Sequence, residues 1–228
     1  MMEEIIVLTY NVPHRKTYDT LCLLKARGYE QVTVRAKPFH YKKTFQPLVS
    51  HRPESNGVNT QKLCENFGYR YLEWTDEVLV FQEKKKMLVC GAGIIPDEMV
   101  KSNMIINSHP GYIPDVRGLD ALKWAILEDR KIGCTTHLLG DEIDAGLIIE
   151  RKEIPVYPYD TFHALAYRVY EQEILMLVDA IEKTENASEY ISGNSSPVHK
   201  RMPHEMEKGL FAALEKRQKE VRTWNSET

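Results

Sequence analysis

Asn107 and His109 stand two residues apart at the end of a predicted buried strand, Met104 to Ser108. Side chains two apart in an extended segment point to the same side. An imidazole moves protons near neutral pH, and an amide can donate a hydrogen bond to a developing oxyanion. Pro110 and Pro114 stiffen the segment that follows. These residues therefore predict acyl-transfer chemistry at this position.

A second polar group follows in the acidic turn between Gly140 and Gly146. It contains three carboxylates, and one of them could reach back to His109. A carboxylate beside an imidazole favours its protonated form and orients either the ring or a water molecule. Taken separately, an Asn-x-His pair or an acidic turn is more often structural than catalytic, so neither motif decides the function alone.

The elements that must position these residues alternate between strands and helices. Strands are predicted at 4–10, 31–36, 69–72, 86–90, 104–108, 133–139 and 146–154, and helices at 15–27, 59–67, from 96, 119–128 and 161–183. This alternation predicts an α/β fold with a mostly parallel central sheet flanked by helices. Ligands bind such sheets outside the carboxyl ends of the strands, where Asn107 and His109 are expected.

Composition limits the other possibilities. The 228 residues carry a net charge of -3, so there is no global basic field for a nucleic acid. The four cysteines are widely spaced, which argues against a zinc site or a disulfide framework. No apolar run is long enough to span a membrane and the amino-terminal segment lacks a signal-peptide pattern, so we expect a cytoplasmic protein.

The chain changes character after Thr184. We expect a catalytic domain over residues 1–183 and a loop with a short helical tail over 184–228. Residues 186–203 are rich in Asn, Ser, Gly and Pro, which predicts a loop, and 205–223 read as a charged helix with a thin apolar stripe. That helix could pack on the main domain, cap a substrate, or pair two subunits in a homodimer.

Taken together, the motifs resemble the folate-dependent formyltransferase family. Four segments carry the resemblance in order and spacing: Asn107-x-His109-Pro110, Pro114-x-x-Arg117-Gly118, Gly133-x-Thr135-x-His137 and Asp144-x-Gly146-x-Ile148-Ile149. The resemblance implies a Rossmann-like formyltransferase fold, 10-formyltetrahydrofolate as formyl donor and no metal. It further implies that Asn107 stabilises the oxyanion, His109 accepts the proton, and Asp144 raises the basicity of His109 and positions water. His137 lies within a strand and is expected to be structural.

The family's pterin pocket is built from backbone near the fourth strand and from the loop before the aspartate. By resemblance, the folate-binding positions are Leu88, Cys90, Ala92, Gly93, Ile94, Gly140, Asp141, Glu142 and Ile143. Gly91-Ala-Gly93 also suggests a dinucleotide fingerprint. It follows the fourth strand rather than the first, and Pro96 comes soon after, so we assign these glycines to a tight turn beside the pterin.

The family's acceptors fall into three classes. Purine-pathway members have a glycine- and serine-rich phosphate loop after the first strand, whereas residues 9–16 here contain no glycine. Members that formylate initiator tRNA carry a large C-terminal β-barrel, for which residues 184–228 are too few. The third class formylates an amino group on a nucleotide-linked dideoxy sugar destined for surface glycans.

The segment from Arg117-Gly118 to Trp124-Ala125 is similar to a pattern in the sugar-formylating enzymes. We therefore predict a sugar N-formyltransferase with a small-molecule nucleotide-sugar acceptor. The predicted acceptor-binding residues are Arg15, Lys16, Arg52, Tyr112, Arg117 and Trp124, with His51 beside Arg52. Trp124 could equally belong to the core. The alternatives are a glycinamide ribonucleotide formyltransferase, a non-catalytic folate- or nucleotide-binding module, and a hydrolase that deformylates the folate.

Overall fold

The computed structural model describes residues 3–39, 45–75, 77–140, 146–193 and 196–227, the last six without their side chains. Its strands are β1 Ile5–Tyr10, β2 Val32–Lys37, β3 Arg70–Glu73, β4 Lys86–Val89, β5 Met104–His109, β6 Arg117–Gly118, β7 Gly133–Leu139, β8 Gly146–Glu153, β9 Glu189–Ile191 and β10 Val198–His199. Its α-helices are α1 Arg15–Ala26, α2 Thr60–Phe67, α3 Asp97–Ser102, α4 Ala121–Leu127, α5 Phe162–Lys183, α6 His204–Glu207 and α7 Leu210–Glu227. None of these helices is both long and apolar enough to cross a membrane.

The main sheet has the strand order β3-β2-β1-β4-β5-β7-β8-β9. The first five strands in this order are parallel, whereas β7, β8 and β9 are antiparallel to their neighbours. The predicted α/β fold with a mostly parallel sheet is therefore confirmed. The strand order reverses between β1 and β4, and a reversal of this kind opens a crevice at the carboxyl ends of the strands.

Local signals explain the elements that border this crevice. The β1 sequence is a continuous apolar run whose first five residues are buried, as expected for a strand covered on both faces. The long helix α5 begins at Thr161, whose side chain accepts a hydrogen bond from the Ala164 backbone amide. Its apolar face packs on β5 and β7, so α5 runs behind the strand that carries Asn107 and His109.

The tail differs from its prediction as a loop followed by one helix. Residues 189–191 form β9, which pairs with the edge strand β8, and residues 198–199 form β10, which pairs with β6. Tertiary pairing overrides the polar, turn-like composition of this segment, which is why the loop prediction was wrong at these residues. The predicted single helix is divided into α6 and α7 around Lys208 and Gly209.

The tail packs on the main domain, the first of the three arrangements considered. Met202, Leu210 and Leu214 are buried in one apolar cluster with residues of α4 and α5. A fully buried ion pair reinforces this contact, since Lys123 of α4 donates to Glu207 of α6. Glu207 also accepts a hydrogen bond from the Leu48 backbone amide at 2.7 Å. One carboxylate thus holds the tail, α4 and the segment around Leu48 together.

We predict that Glu207→Ala lowers the free energy of unfolding by about 3–5 kcal/mol, because it leaves the buried Lys123 ammonium without its partner. Urea denaturation followed by circular dichroism measures this loss. Lys123→Met combined with Glu207→Gln should recover most of it, since the pair becomes neutral and an acceptor for Leu48 remains.

The matched control is Glu205→Ala, on the same helix but exposed and paired with Lys208. It should change stability by less than about 0.5 kcal/mol. A loss below about 1 kcal/mol for Glu207→Ala would contradict the importance of the buried pair.

Candidate active site

A cavity of about 760 Å³ opens at the carboxyl end of β5. It brings together residues from distant parts of the chain, namely Lys16, His51, Arg52, Asn107, Ser108, His109, Pro110, Gly118, Leu119, Asp120, Ala121, Glu173, Val198, His199, Lys200 and Arg201. Four cationic side chains face two carboxylates in this lining, so the cavity suits an anionic ligand.

Asn107 and His109 both line this cavity, as their two-residue spacing predicts. The Asn107 side-chain nitrogen lies 3.3 Å from His137 Nε2, on the paired strand β7. His109 is buried, and its Nε2 lies 3.2 Å from the Val116 carbonyl oxygen. This contact holds the ring against Val116 and, when Nε2 is the protonated nitrogen, makes Nδ1 the proton acceptor.

The loop after His109 is shaped by Thr135 of β7. The Thr135 hydroxyl donates to the Gly111 carbonyl at 2.9 Å and accepts from the Ile113 amide at 3.0 Å. A Cβ at Gly111 would lie only 2.5 Å from His109 Nε2, so glycine is required for the ring to sit there. Thr135 of β7 therefore supports the loop that follows β5.

Glu173 of α5 lies at the floor of the cavity and is almost fully buried. One of its oxygens accepts from Lys16 Nζ at 2.8 Å, and the other accepts from Arg52. Lys16 also donates to the Ser108 carbonyl at 3.2 Å, between Asn107 and His109. Burial opposes ionisation of Glu173, but Arg52 and Lys16 together lower its pKa to about 2.

Two histidines near these cations are held neutral. Burial, together with Lys16 and Arg52, lowers the pKa of His14 to about 4. Burial, together with Arg52 and Lys123, lowers the pKa of His51 to about 3. His14 Nδ1 lies 2.9 Å from the Thr17 hydroxyl, on the first turn of α1. At neutral pH the positive charge at this end of the cavity therefore belongs to Lys16 and Arg52.

The predicted acceptor-binding residues separate into two groups. Lys16 and Arg52 line the cavity beside Asn107 and His109. Arg15 instead pairs with Asp19 at 2.8 Å and lines a different groove between α1 and α5. Tyr112 lies outside the cavity lining, with its ring 4.9 Å from Lys131 Nζ.

Arg117 and Trp124 are turned toward the tail rather than toward the cavity. Arg117 is fully buried and donates to the carbonyls of Gly193 and Ser196, the latter at 3.0 Å. The Trp124 indole nitrogen donates to the Lys200 carbonyl at 2.9 Å, and its ring lies 4.7 Å from that of His199. Arg117 and Trp124 thus hold the part of the tail that forms a wall of the cavity.

The predicted folate-binding residues lie around the end of β4. Leu88, Cys90 and Ala92 are buried in the core, so in this stretch only their backbone could meet a ligand. Gly93 has a φ of +65°, and the Ile94 side chain is 93% exposed. A Cβ at Gly91 would lie 2.5 Å from the Tyr10 ring, which accounts for that glycine. This turn presents backbone groups and one exposed apolar side chain.

Of the acidic turn between Gly140 and Gly146, the structure describes only these two end residues. Gly140 follows β7 and is half-buried. The predicted residues Asp141, Glu142, Ile143 and Asp144 lie outside the described residues. In the part of the chain that the structure describes, no group of three or more His, Cys, Asp or Glu residues is placed to hold a metal ion.

Sequence reasoning missed several cavity residues: Glu173, His199, Lys200 and Arg201. Glu173 had a detectable signal, because it is an acidic residue on the otherwise apolar face formed by Ala166, Tyr170 and Leu177. The other three had none, since they lie in a segment whose composition indicates only a loop.

The formyl transferase family model matches residues 55–181, more than half of the chain. This chain belongs to the formyl transferase family. The matched region contains Asn107, His109, Thr135, His137 and Glu173, but it excludes Lys16, Arg52 and the whole tail.

Individual relatives match shorter stretches of sequence. The trifunctional purine biosynthetic protein adenosine-3 of Gallus gallus is 39% identical over 101 residues, which cover 41% of this chain and 10% of that protein. The chain therefore spans only a small part of the curated relatives that it matches first.

Solved structures of this family share the fold. A sugar N-formyltransferase from Shewanella sp. FDAARGOS_354 superposes with a TM-score of 0.57 and 24% identity, over 87% of this chain and 77% of that one. An N-formyltransferase from Helicobacter canadensis, in complex with folinic acid and dTDP-3-aminofucose, gives a TM-score of 0.60 and 18% identity, over 87% and 71%. The predicted formyltransferase fold is therefore confirmed.

Because Glu173 is paired with two cations, its contribution to the free energy of unfolding depends on pH. Its folded-state pKa of about 2 lies below the ordinary value of 4.5, so its contribution is present above about pH 4.5 and is lost as the pH falls toward 2. We predict that the difference in unfolding free energy between wild type and Glu173→Gln shrinks over this interval.

Urea denaturation at several pH values between about 6 and 3 measures this difference. Glu171→Gln, at an exposed position on the same helix, is the matched control. A difference between wild type and Glu173→Gln that stays constant down to about pH 3 would refute the assignment.

Proposed function

We propose that this protein transfers the formyl group of 10-formyltetrahydrofolate to the amino group of a nucleotide-linked amino-dideoxy sugar. The observation that carries this proposal is the shared cavity, in which Asn107 and His109 stand beside Lys16 and Arg52. An amide and an imidazole supply what formyl transfer requires. Two cations beside them supply what a diphosphate requires.

The formyl donor supplies an electrophilic carbonyl carbon. The unprotonated amine of the acceptor attacks this carbon, a new C–N bond forms, and the bond to the folate nitrogen breaks. Asn107 donates from its amide to the oxygen on which negative charge develops. His109 takes the proton that the amine loses and returns it to the leaving folate nitrogen. The Val116 carbonyl keeps the ring in place during both transfers.

The remaining site residues are assigned by family resemblance. Asp144 would favour the protonated form of His109 and position water. The pterin would lie against the backbone of residues 88–95 and 140–143. The turn after β4 supports this placement, because its buried side chains leave backbone groups as the available partners and Ile94 projects beside them.

The loop between β1 and α1 favours a nucleotide sugar over a ribonucleotide monophosphate. Where a glycine-rich phosphate loop would offer backbone amides, this chain places the rings of Tyr10 and His14, which fill the space beside Gly91. Phosphate binding by backbone is therefore replaced by the side chains of Lys16 and Arg52. The Helicobacter canadensis enzyme, whose structure contains dTDP-3-aminofucose, supports the same acceptor class.

A second candidate is glycinamide ribonucleotide formylation in purine synthesis. The observation in its favour is the 39% identity to the Gallus gallus purine protein over 101 residues. Both candidates use the same chemistry at Asn107 and His109 and differ only in the acceptor.

We predict that Asn107→Ala lowers kcat by about 10²–10³, the cost of removing one oxyanion donor. His109→Ala should lower kcat by about 10²–10⁴, the range for a positioned general base. Tetrahydrofolate release under saturating substrates measures both values, and circular dichroism verifies folding.

The matched control is His163→Ala, which removes an exposed imidazole from α5. It should keep the wild-type rate. Near wild-type turnover by a folded Asn107→Ala or His109→Ala variant would remove that residue from the mechanism.

The function itself is tested with 10-formyltetrahydrofolate and a panel of amines, following tetrahydrofolate release. The panel contains UDP-, GDP- and dTDP-linked 3- and 4-amino-dideoxy sugars, glycinamide ribonucleotide and methionyl-tRNA. Turnover with one nucleotide sugar is the expected result. Turnover with glycinamide ribonucleotide alone would replace the proposal by the second candidate. Formate release without any acceptor would indicate a hydrolase, and folate binding without reaction a binding module.

A further inference from the structure

One wall of the cavity comes from the tail, through residues 196–202, here called the strap. Its β10 portion pairs with β6 in parallel, Val198 with Arg117 and His199 with Gly118. The Leu119 amide extends this pairing by donating to the His199 carbonyl at 2.9 Å. The backbone of the strap is therefore fixed beside the amino-terminal end of α4.

Side chains secure the strap at both ends of this pairing. At one end, Arg117 donates to the Ser196 carbonyl at 3.0 Å. At the other, Asp120 accepts from the Met202 amide at 2.9 Å, and the Met202 side chain is fully buried. Gly118 permits the close approach, because its φ is +91° and a Cβ there would lie 2.2 Å from the His199 carbonyl oxygen.

Two cationic residues of the strap, Lys200 and Arg201, line the cavity that contains Asn107 and His109. The Lys200 carbonyl accepts from Trp124, but the Lys200 ammonium makes no ion pair with any residue that the structure describes. Arg201 lies 3.6 Å from Asp120, and its side chain is 46% exposed. Both side chains are exposed and therefore remain accessible to a ligand.

The strap lies outside residues 55–181, the region that matches the family. Asn107 and His109, which carry the shared chemistry, lie inside it. Members of one family that use different acceptors must differ where the acceptor is bound. A cationic strap outside the shared region meets this requirement.

We propose that Lys200 and Arg201 bind the phosphate groups of the acceptor and select acceptors that carry a diphosphate. This inference rests on the proposed function, because it concerns the acceptor of the same site. Lys16 and Arg52 line the same cavity. The Arg-Gly…Trp segment contributes to acceptor selection indirectly, by holding the strap.

Isothermal titration of UDP, GDP, dTDP and inorganic pyrophosphate tests this assignment. The proteins compared are the full chain, Lys200→Gln, Arg201→Gln and the double variant. Each single substitution should weaken diphosphate binding about tenfold and the double variant about a hundredfold, the loss expected for charge-assisted hydrogen bonds. Binding of folinic acid should stay unchanged, because the folate positions lie elsewhere.

The matched control is Lys208→Gln, which removes a cation of the same tail that pairs with Glu205 away from the cavity lining. It should leave every affinity unchanged. Diphosphate affinity of the double variant within about twofold of wild type would overturn the inference, as would a wild-type protein that binds no diphosphate. Strap-dependent diphosphate binding without formyl transfer to any amine would sustain this inference and refute the proposed function.

Discussion

The buried carboxylate of Glu173 is the constraint on which the cavity depends. A charge buried this deeply must be paired, and Glu173 is paired twice, with Lys16 and with Arg52. This pairing brings α1 and the segment before α2 against α5, directly behind the strand that carries Asn107 and His109. Lys16 extends the arrangement to that strand by donating to the Ser108 carbonyl. Glu173 thus links Lys16 and Arg52 to the strand that carries Asn107 and His109.

The catalytic candidates and the cations of the cavity come from different parts of the sequence. Residues 55–181 match the family and contain the amide and the imidazole. The four cationic residues that line the cavity, Lys16, Arg52, Lys200 and Arg201, all lie outside that region. Residues of the shared family region and cations from both ends of the chain therefore line the same cavity. The buried contact between Lys123 and Glu207 holds the second end in place.

Sequence reasoning succeeded where the signal was local. The apolar runs of β1 and β5 and the periodicity of α5 predicted the sheet, and the spacing of Asn107 and His109 predicted their shared side. It failed where the partner is distant. Arg117 has the spacing of a ligand-binding residue, but it donates to carbonyls that lie 76 and 79 residues further along the chain. No local pattern marks β9 or β10 either, because their pairing depends on strands formed far away in sequence.

The central claim is that catalysis and acceptor binding depend on different residues. Steady-state kinetics of Asn107→Ala and Arg52→Gln, with the acceptor that the wild-type protein formylates, test it most directly. We expect a lower kcat with a nearly unchanged acceptor KM for Asn107→Ala, because that amide acts only on the developing charge. We expect a raised acceptor KM with a nearly unchanged kcat for Arg52→Gln. The same loss of kcat in both variants, with unchanged KM, would show that cations and catalytic pair act as one unit and would contradict the account.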